Sequence, residues 1–274
     1  MKAYLLKSMV AVAAVALLAS SCKKEDTPTP PVTDPYESLY KIAEMPATGS
    51  NLSVALYMDE EPFVGYNMVY AVVKDAAGKV VESANVDFMP MMDMGAMQHS
   101  CPLEQPMWSA DEMAAKGAIT FVMPSTAGSW TVKVMVDDPS SMEMGEATFP
   151  ITVMAKSEAK MYSFTSAVDQ AKIFVAIVQP KNPKVGMNDF EVVVYKRMSM
   201  MSWPAVSDLN IFIDPEMPTM GHGSPNNVDP VAMSNGHYMG KVNFTMTGYW
   251  KVNMMLKDAQ NAMMDDQGFF DITF

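Results

Sequence analysis

The chain has 274 residues, 19 basic and 31 acidic side chains, a formal net charge of −12 and 49% hydrophobic residues. An acidic surface with no basic stripe repels nucleic acid and excludes it as a partner. The 31 methionines are several times the ordinary share, whereas the 2 cysteines, one of them close behind an N-terminal apolar run, leave no pair for a disulfide framework.

Lys2 and Lys7 precede an apolar run from Met9 to Ala19, followed by Ser20-Ser21-Cys22. The run is too short for a comfortable membrane span and reads as an export leader over 1–21. Its end resembles a bacterial lipoprotein signal, with Cys22 as the lipidated first residue of the mature chain and Leu18 four positions before it. An ordinary secretory leader cleaved near Ala19 is the alternative. Residues 22–35 follow as a proline-rich tether, Lys23 to Pro35 carrying four prolines in thirteen residues, which prevents a helix and keeps the chain extended. Cys22-Lys23-Lys24 with Glu25-Asp26 resembles the start of many Bacteroidetes lipoproteins. The expected location is therefore the cell envelope, periplasmic or outer-membrane, with membrane lipid as a partner through an acyl anchor on Cys22.

About 240 residues remain, enough for two ordinary cores. Short alternating runs follow: Leu52–Tyr57, Met68–Lys74, Val80–Met89, Ala118–Met123, Ser129–Val136 and Phe149–Met154. Pro90 is expected to end its strand, since it cannot donate a ladder hydrogen bond. Asp111–Lys116 is expected to form one helical turn. The order then repeats in Lys172–Val178, Phe190–Tyr195, Leu209–Ile213, Gly240–Met246, Trp250–Leu256 and Phe269–Phe274. Glycine, proline and asparagine turns at roughly 8–12-residue spacing predict an all-β protein of two tandem antiparallel Ig-like β-sandwich domains. The expected domains are 36–155 and 156–274.

The repeat has a signature. Val64-Gly65-Tyr66-Asn67 corresponds to Val185-Gly186-Met187-Asn188, Phe121-x-Met123 to Phe244-x-Met246, and Trp130 to Trp250. Pairing Met89-Pro90 with Met217-Pro218 extends the match, with Ala96 standing where the second copy has His222. The tryptophans and Phe-x-Met pairs read as core residues on shared sheet faces.

Eight methionines fall between Met89 and Met123 and seven between Met217 and Met255, and all three histidines lie in the same two regions. Thioether, imidazole and thiol form a soft donor set suited to Cu(I) or its mimic Ag(I). The candidate site is Met217, Met220 and His222, with His237 and Met239 arriving from the next strand. Met94, Met97, His99 and Cys101 make a second set. This reading predicts Cu(I) binding for delivery or tolerance, with an envelope metalloprotein or copper transporter as partner. The alternative takes methionine as an adaptable packing and contact residue, in a metal-free binding or scaffold module of the envelope. No G-x-S-x-G, H-E-x-x-H, Walker or C-x-x-C motif occurs, and a His99/Cys101 hydrolase is disfavoured because residues two apart lack an orienting third group, so no enzyme is expected.

The run Met217-Pro-x-Met-Gly-His-Gly223, followed by Gly236-His-Tyr-Met-Gly-Lys-Val-Asn-Phe-Thr-Met-Thr-Gly-Tyr-Trp250, resembles the YtkA-like family. That resemblance implies an exported Ig-like sandwich, often a lipoprotein and sometimes in copper-handling settings. The family-like positions are Met217, Pro218, Met220, His222, Gly223, Gly236, Tyr238, Phe244, Met246, Gly248 and Trp250.

Overall fold

A computed structural model describes residues 35–274. The leader, Cys22 and nearly all of the tether lie outside the described residues. Among those described, no helix is long and apolar enough to cross a membrane.

The first half contributes β1 (Tyr40–Pro46), β2 (Ser53–Met58), β3 (Gly65–Lys74), β4 (Asn85–Asp93), β5 (Gln98–His99), β6 (Leu103–Ser109), β7 (Ala114–Phe121), β8 (Ser129–Asp138) and β9 (Glu143–Ile151). The second contributes β10 (Met161–Thr165), β11 (Lys172–Gln179), β12 (Gly186–Arg197), β13 (Asn210–Met217), β14 (His222–Gly223), β15 (Val228–Ala232), β16 (His237–Phe244), β17 (Tyr249–Lys257), β18 (Met263–Asp265) and β19 (Phe269–Thr273). The sheet β1-β2-β3-β7-β6 faces β5-β4-β8-β9 across one core, and β10-β11-β12-β16-β15 faces β14-β13-β17 with β18 and β19 across a second. Both are antiparallel sandwiches with the same strand order.

Period-two alternation builds these layers. In β8 every second residue from Trp130 to Val136 is buried, and Val132 and Val134 meet Phe88 and Phe149 in the first core. Trp250 and Val252 do the same against Phe244 and Phe270 in the second. Each tryptophan satisfies its indole N–H on the carbonyl of the Phe-x-Met segment: Trp130 Nε1 donates to Met123 O at 2.8 Å, and Trp250 Nε1 to Met246 O at 3.0 Å.

The Val-Gly-x-Asn matches have a physical cause. Asn67 is fully buried, donates to Gly65 O and Phe63 O, and accepts from Phe63 N. Asn188 donates to Gly186 O and Lys184 O and accepts from Lys184 N. The amide closes the same turn in both copies.

Two expectations are corrected. Pro90 does not end its strand; β4 runs through it to Asp93, with Pro90 opposite Val132. Its nitrogen faces the open edge of β4, where two residues earlier the Gln105 side chain takes Phe88 N and donates to Phe88 O. A missing donor there breaks no ladder bond. Asp111–Lys116 is likewise no helix: a turn ends at Met113, and β7 starts at Ala114.

The Met-Pro pairing is also corrected. In β13, Ile213 N is taken by Asp229 Oδ1 as Phe88 N is by Gln105, so Pro215 is the counterpart of Pro90. Met217 then corresponds to Met92, because His99 lies opposite Met92 and His222 opposite Met217.

Residues 35–274 form one compact unit. The sheets β1-β2-β3-β7-β6 and β10-β11-β12-β16-β15 pack outer face to outer face: Tyr66 and Ala118 from the first meet Ala176, Val193 and Tyr195 from the second, with Met68, Met161 and Val178 at the margin. The strands β3, β11 and β12 are therefore buried on both faces.

Candidate functional site

Each sandwich carries an imidazole, a thioether and an indole on three neighbouring strands of one sheet, β5-β4-β8 in the first and β14-β13-β17 in the second. In the first they are His99, Met92 and Trp130; in the second His222, Met217 and Trp250. The rings meet edge-on, with centroids 5.4 Å apart for His99 and Trp130 and 5.9 Å for His222 and Trp250. The hairpins before both histidines turn on a glycine at positive φ, Gly95 at +83° and Gly221 at +66°.

Backbone carbonyls fix both rings. His99 Nδ1 lies 2.7 Å from Ser100 O and His222 Nδ1 3.0 Å from Gly223 O. A carbonyl only accepts, so Nδ1 carries the proton in each ring and Nε2 presents its lone pair. A tethered Nδ1–H is also the usual second contact of a metal-binding imidazole.

The predicted second-domain donors are only partly brought together. Met217 is buried in the core directly opposite His222, and Met220 stands exposed at the hairpin tip. His237 and Met239 do not join them. They project from the outer face of β16, and His237 lies seven residues along the strand from Phe244, roughly 23 Å at 3.3 Å per residue. Phe244, not His237, is the β16 residue that contacts Trp250, at 5.4 Å.

His237 is committed to the contact between the sandwiches. Its Nε2 lies 2.8 Å from Glu104 Oε1 of the first sandwich and its Nδ1 2.7 Å from Glu191 Oε1 of its own. Tyr195 also donates to Glu104 Oε1, at 3.1 Å, and the Tyr66 ring is edge-on to the imidazole at 5.6 Å. Burial opposes a charge on this ring, but the hydrogen bonds and fields of Glu104 and Glu191 outweigh it and raise its pKa to about 9. Burial, seconded by the Glu104 charge, pushes both tyrosine hydroxyls upward. A Lys181–Asp59 ion pair, a Lys156–Glu60 ion pair at 2.6 Å and a bond from Ser100 N to Met200 O at 2.9 Å add to the polar contacts between the sandwiches.

In the first sandwich Met94 is half-buried against the core and Met97 exposed. Cys101 departs from the expected donor set: it packs in the core, and burial pushes its thiol well above the usual range, so it offers no thiolate. Among the described residues no group of three His, Cys, Asp or Glu side chains is placed to hold a metal ion.

The sequence signals missed Glu104, Glu191, Tyr66 and Tyr195. One trace was available. Phe174-Val-Ala-Ile-Val178 and Val192-Val-Val-Tyr195 are apolar at consecutive positions, as strands covered on both faces are.

Residues 166–255 match the YtkA-like family model, a segment within the second sandwich. No curated protein matches the chain. Among solved structures it is similar to FdeC, an Escherichia coli adhesin, at 14% identity and a TM-score of 0.25, over 83% of this chain and 66% of that one. It is also similar to the Yersinia pseudotuberculosis adhesin InvE (11%, 0.28, 82% and 60%) and to invasin, a bacterial integrin-binding protein (13%, 0.23, 81% and 39%). The chain thus spans 66% or less of the length of these structures, and at such identities the likeness speaks to neither partner nor activity. The fold defines the class as tandem antiparallel β-sandwiches, the second of which carries a segment that matches the YtkA-like family model.

Proposed function

We propose that this chain is a non-enzymatic binding or scaffold module of the cell envelope, built as two YtkA-like sandwiches and anchored by a lipid on Cys22. The observation supporting this reading is the docking of the sandwiches through Tyr66, Val193, Tyr195 and the Glu104–His237–Glu191 contact. A fixed relation between two sandwich ends suits a module that presents loops to a partner, and the exposed thioethers of Met97, Met198, Met201 and Met220 give those loops an adaptable apolar surface. The test is capture from solubilised envelope with and without a copper chelator. A specific protein whose recovery is unaffected by the chelator is expected; recovery that depends on copper would contradict the reading. For the anchor, Cys22→Ser is expected to abolish lipid labelling and release the protein from the membrane fraction.

A second reading is favoured by one observation: His222, tethered at Nδ1, offers the Nε2 lone pair on a hairpin that also carries Met220. In this reading the hairpin binds Cu(I) and passes it to an envelope metalloprotein or copper transporter. Anaerobic Cu(I) titration tests it. Saturable binding weakened at least tenfold by His222→Gln with Met220→Leu is expected, and binding indifferent to both removes it.

A further inference from the structure

We infer that the junction between the sandwiches holds a soft-cation site distinct from the exposed hairpin, in which His99 Nε2 and the thioethers of Met92 and Met94 take Cu(I) or Ag(I). The inference rests on the copper reading for its metal class but on different residues.

His99 is only 6% exposed, and its Nε2 is buried without a hydrogen-bonding partner among the described residues. With Nδ1–H donating to Ser100 O, the orphaned atom is a lone pair. An N–H···π bond onto Trp130 would need a proton on Nε2, which this tautomer lacks. A buried acceptor left bare costs about 1–3 kcal/mol, so such an atom calls for an electrophile.

The neighbourhood selects the kind of electrophile. Met92 lies directly opposite His99 in the strand pair and is fully buried. A Cβ placed on Gly128 would come within 3.0 Å of Met92 Cε and 3.1 Å of Met94 Cγ, so the two methionine side chains converge on the space that glycine leaves. The carboxylate of the hairpin, Asp93, is turned to Gly95 N and Gln98. Imidazole with thioethers and no carboxylate favours a soft monovalent ion over calcium, magnesium or zinc.

The second sandwich closes the site. Ser100 N donates to Met200 O, and the Trp203 ring, seated on Phe174, lies 6.5 Å from His99. Two indole rings beside a desolvated cation offset part of the cost of burying its charge. His222, half-buried at its hairpin, has no such cover from the first sandwich among the ring contacts of the described residues. The two sites should therefore differ in access.

The test is calorimetric titration of the purified protein with Ag(I), read alongside long-range nitrogen–proton spectra of the histidine rings. His222→Gln is expected to retain one equivalent of Ag(I) and to show the His99 Nε2 resonance moving with it. Met92→Leu combined with Met94→Leu in that background is expected to weaken this equivalent at least tenfold. A folded His222→Gln protein that binds no Ag(I), or whose His99 Nε2 resonance stays in place at saturation, overturns the site while leaving the hairpin reading standing. If the unaltered protein binds no Ag(I) at all, both fall. The readout uses His99 itself intact, so a folding defect in a His99 variant cannot obscure the result.

Discussion

His99 and His222 occupy the same place in their two sandwiches: each faces a buried methionine across a two-residue strand pair, tethers Nδ1 to the next carbonyl or its own chain neighbour's, and meets its domain's tryptophan edge-on. Their surroundings set them apart. His99 is covered by a loop of the second sandwich, whereas His222 stays at an open hairpin.

The contact at His237 should make stability depend on pH. Its folded pKa of about 9 lies above the ordinary 6.5, so the stabilisation is fully present below pH 6.5 and is lost as pH rises through 9. The span corresponds to about 3 kcal/mol at most. Chemical denaturation of the protein between pH 6.5 and 9.5 should show this decline, and His237→Gln should flatten it.

His237→Gln should also destabilise the protein at pH 6.5 by about 3 kcal/mol, because Glu104 and Glu191 then face each other without a cation. Small-angle scattering should report a more extended particle. An unchanged profile and midpoint would show that the apolar faces alone hold the sandwiches together.

Asn67→Ala and Asn188→Ala should have similar effects, about 2–3 kcal/mol each, since each leaves buried backbone groups of one turn without partners. Denaturant midpoints of the two variants measure this. A large loss for one and none for the other would mean that the turns are not equivalent in energy.

Cys101 should resist thiol reagents in the native protein and react fully once denatured, given its burial and raised pKa. Mass spectrometry after timed alkylation follows the reaction. Fast native labelling would move Cys101 out of the core.

The two repeat matches that depend on backbone geometry, Val-Gly-x-Asn and the tryptophan pair, were legible because an amide or an indole must meet the same carbonyls in each copy. Met89-Pro90 against Met217-Pro218 misled, since proline tolerates any open edge and the first hairpin is two residues longer between its paired Met and His. The correct register makes His99 the partner of His222, a relation hidden by Ala96. His237 and Met239 were misplaced for another reason: their distance in sequence from His222 is short, but β16 carries them away from it on the opposite face. Sheet-to-sheet docking left only the doubly apolar strands as a trace, and Glu104, separated from His237 by 133 residues, had no local signal at all.

His237 joins the two sandwiches through both ring nitrogens, one to Glu104 and one to Glu191. Nitrogen–proton spectroscopy of its imidazole through a pH titration, repeated with saturating Ag(I), tests this directly. Titration near pH 9, with both ring nitrogens protonated at neutral pH and no change on adding Ag(I), is expected; titration near 6.5, or a His237 resonance that moves with the metal, would show that the ring is not held by the two carboxylates.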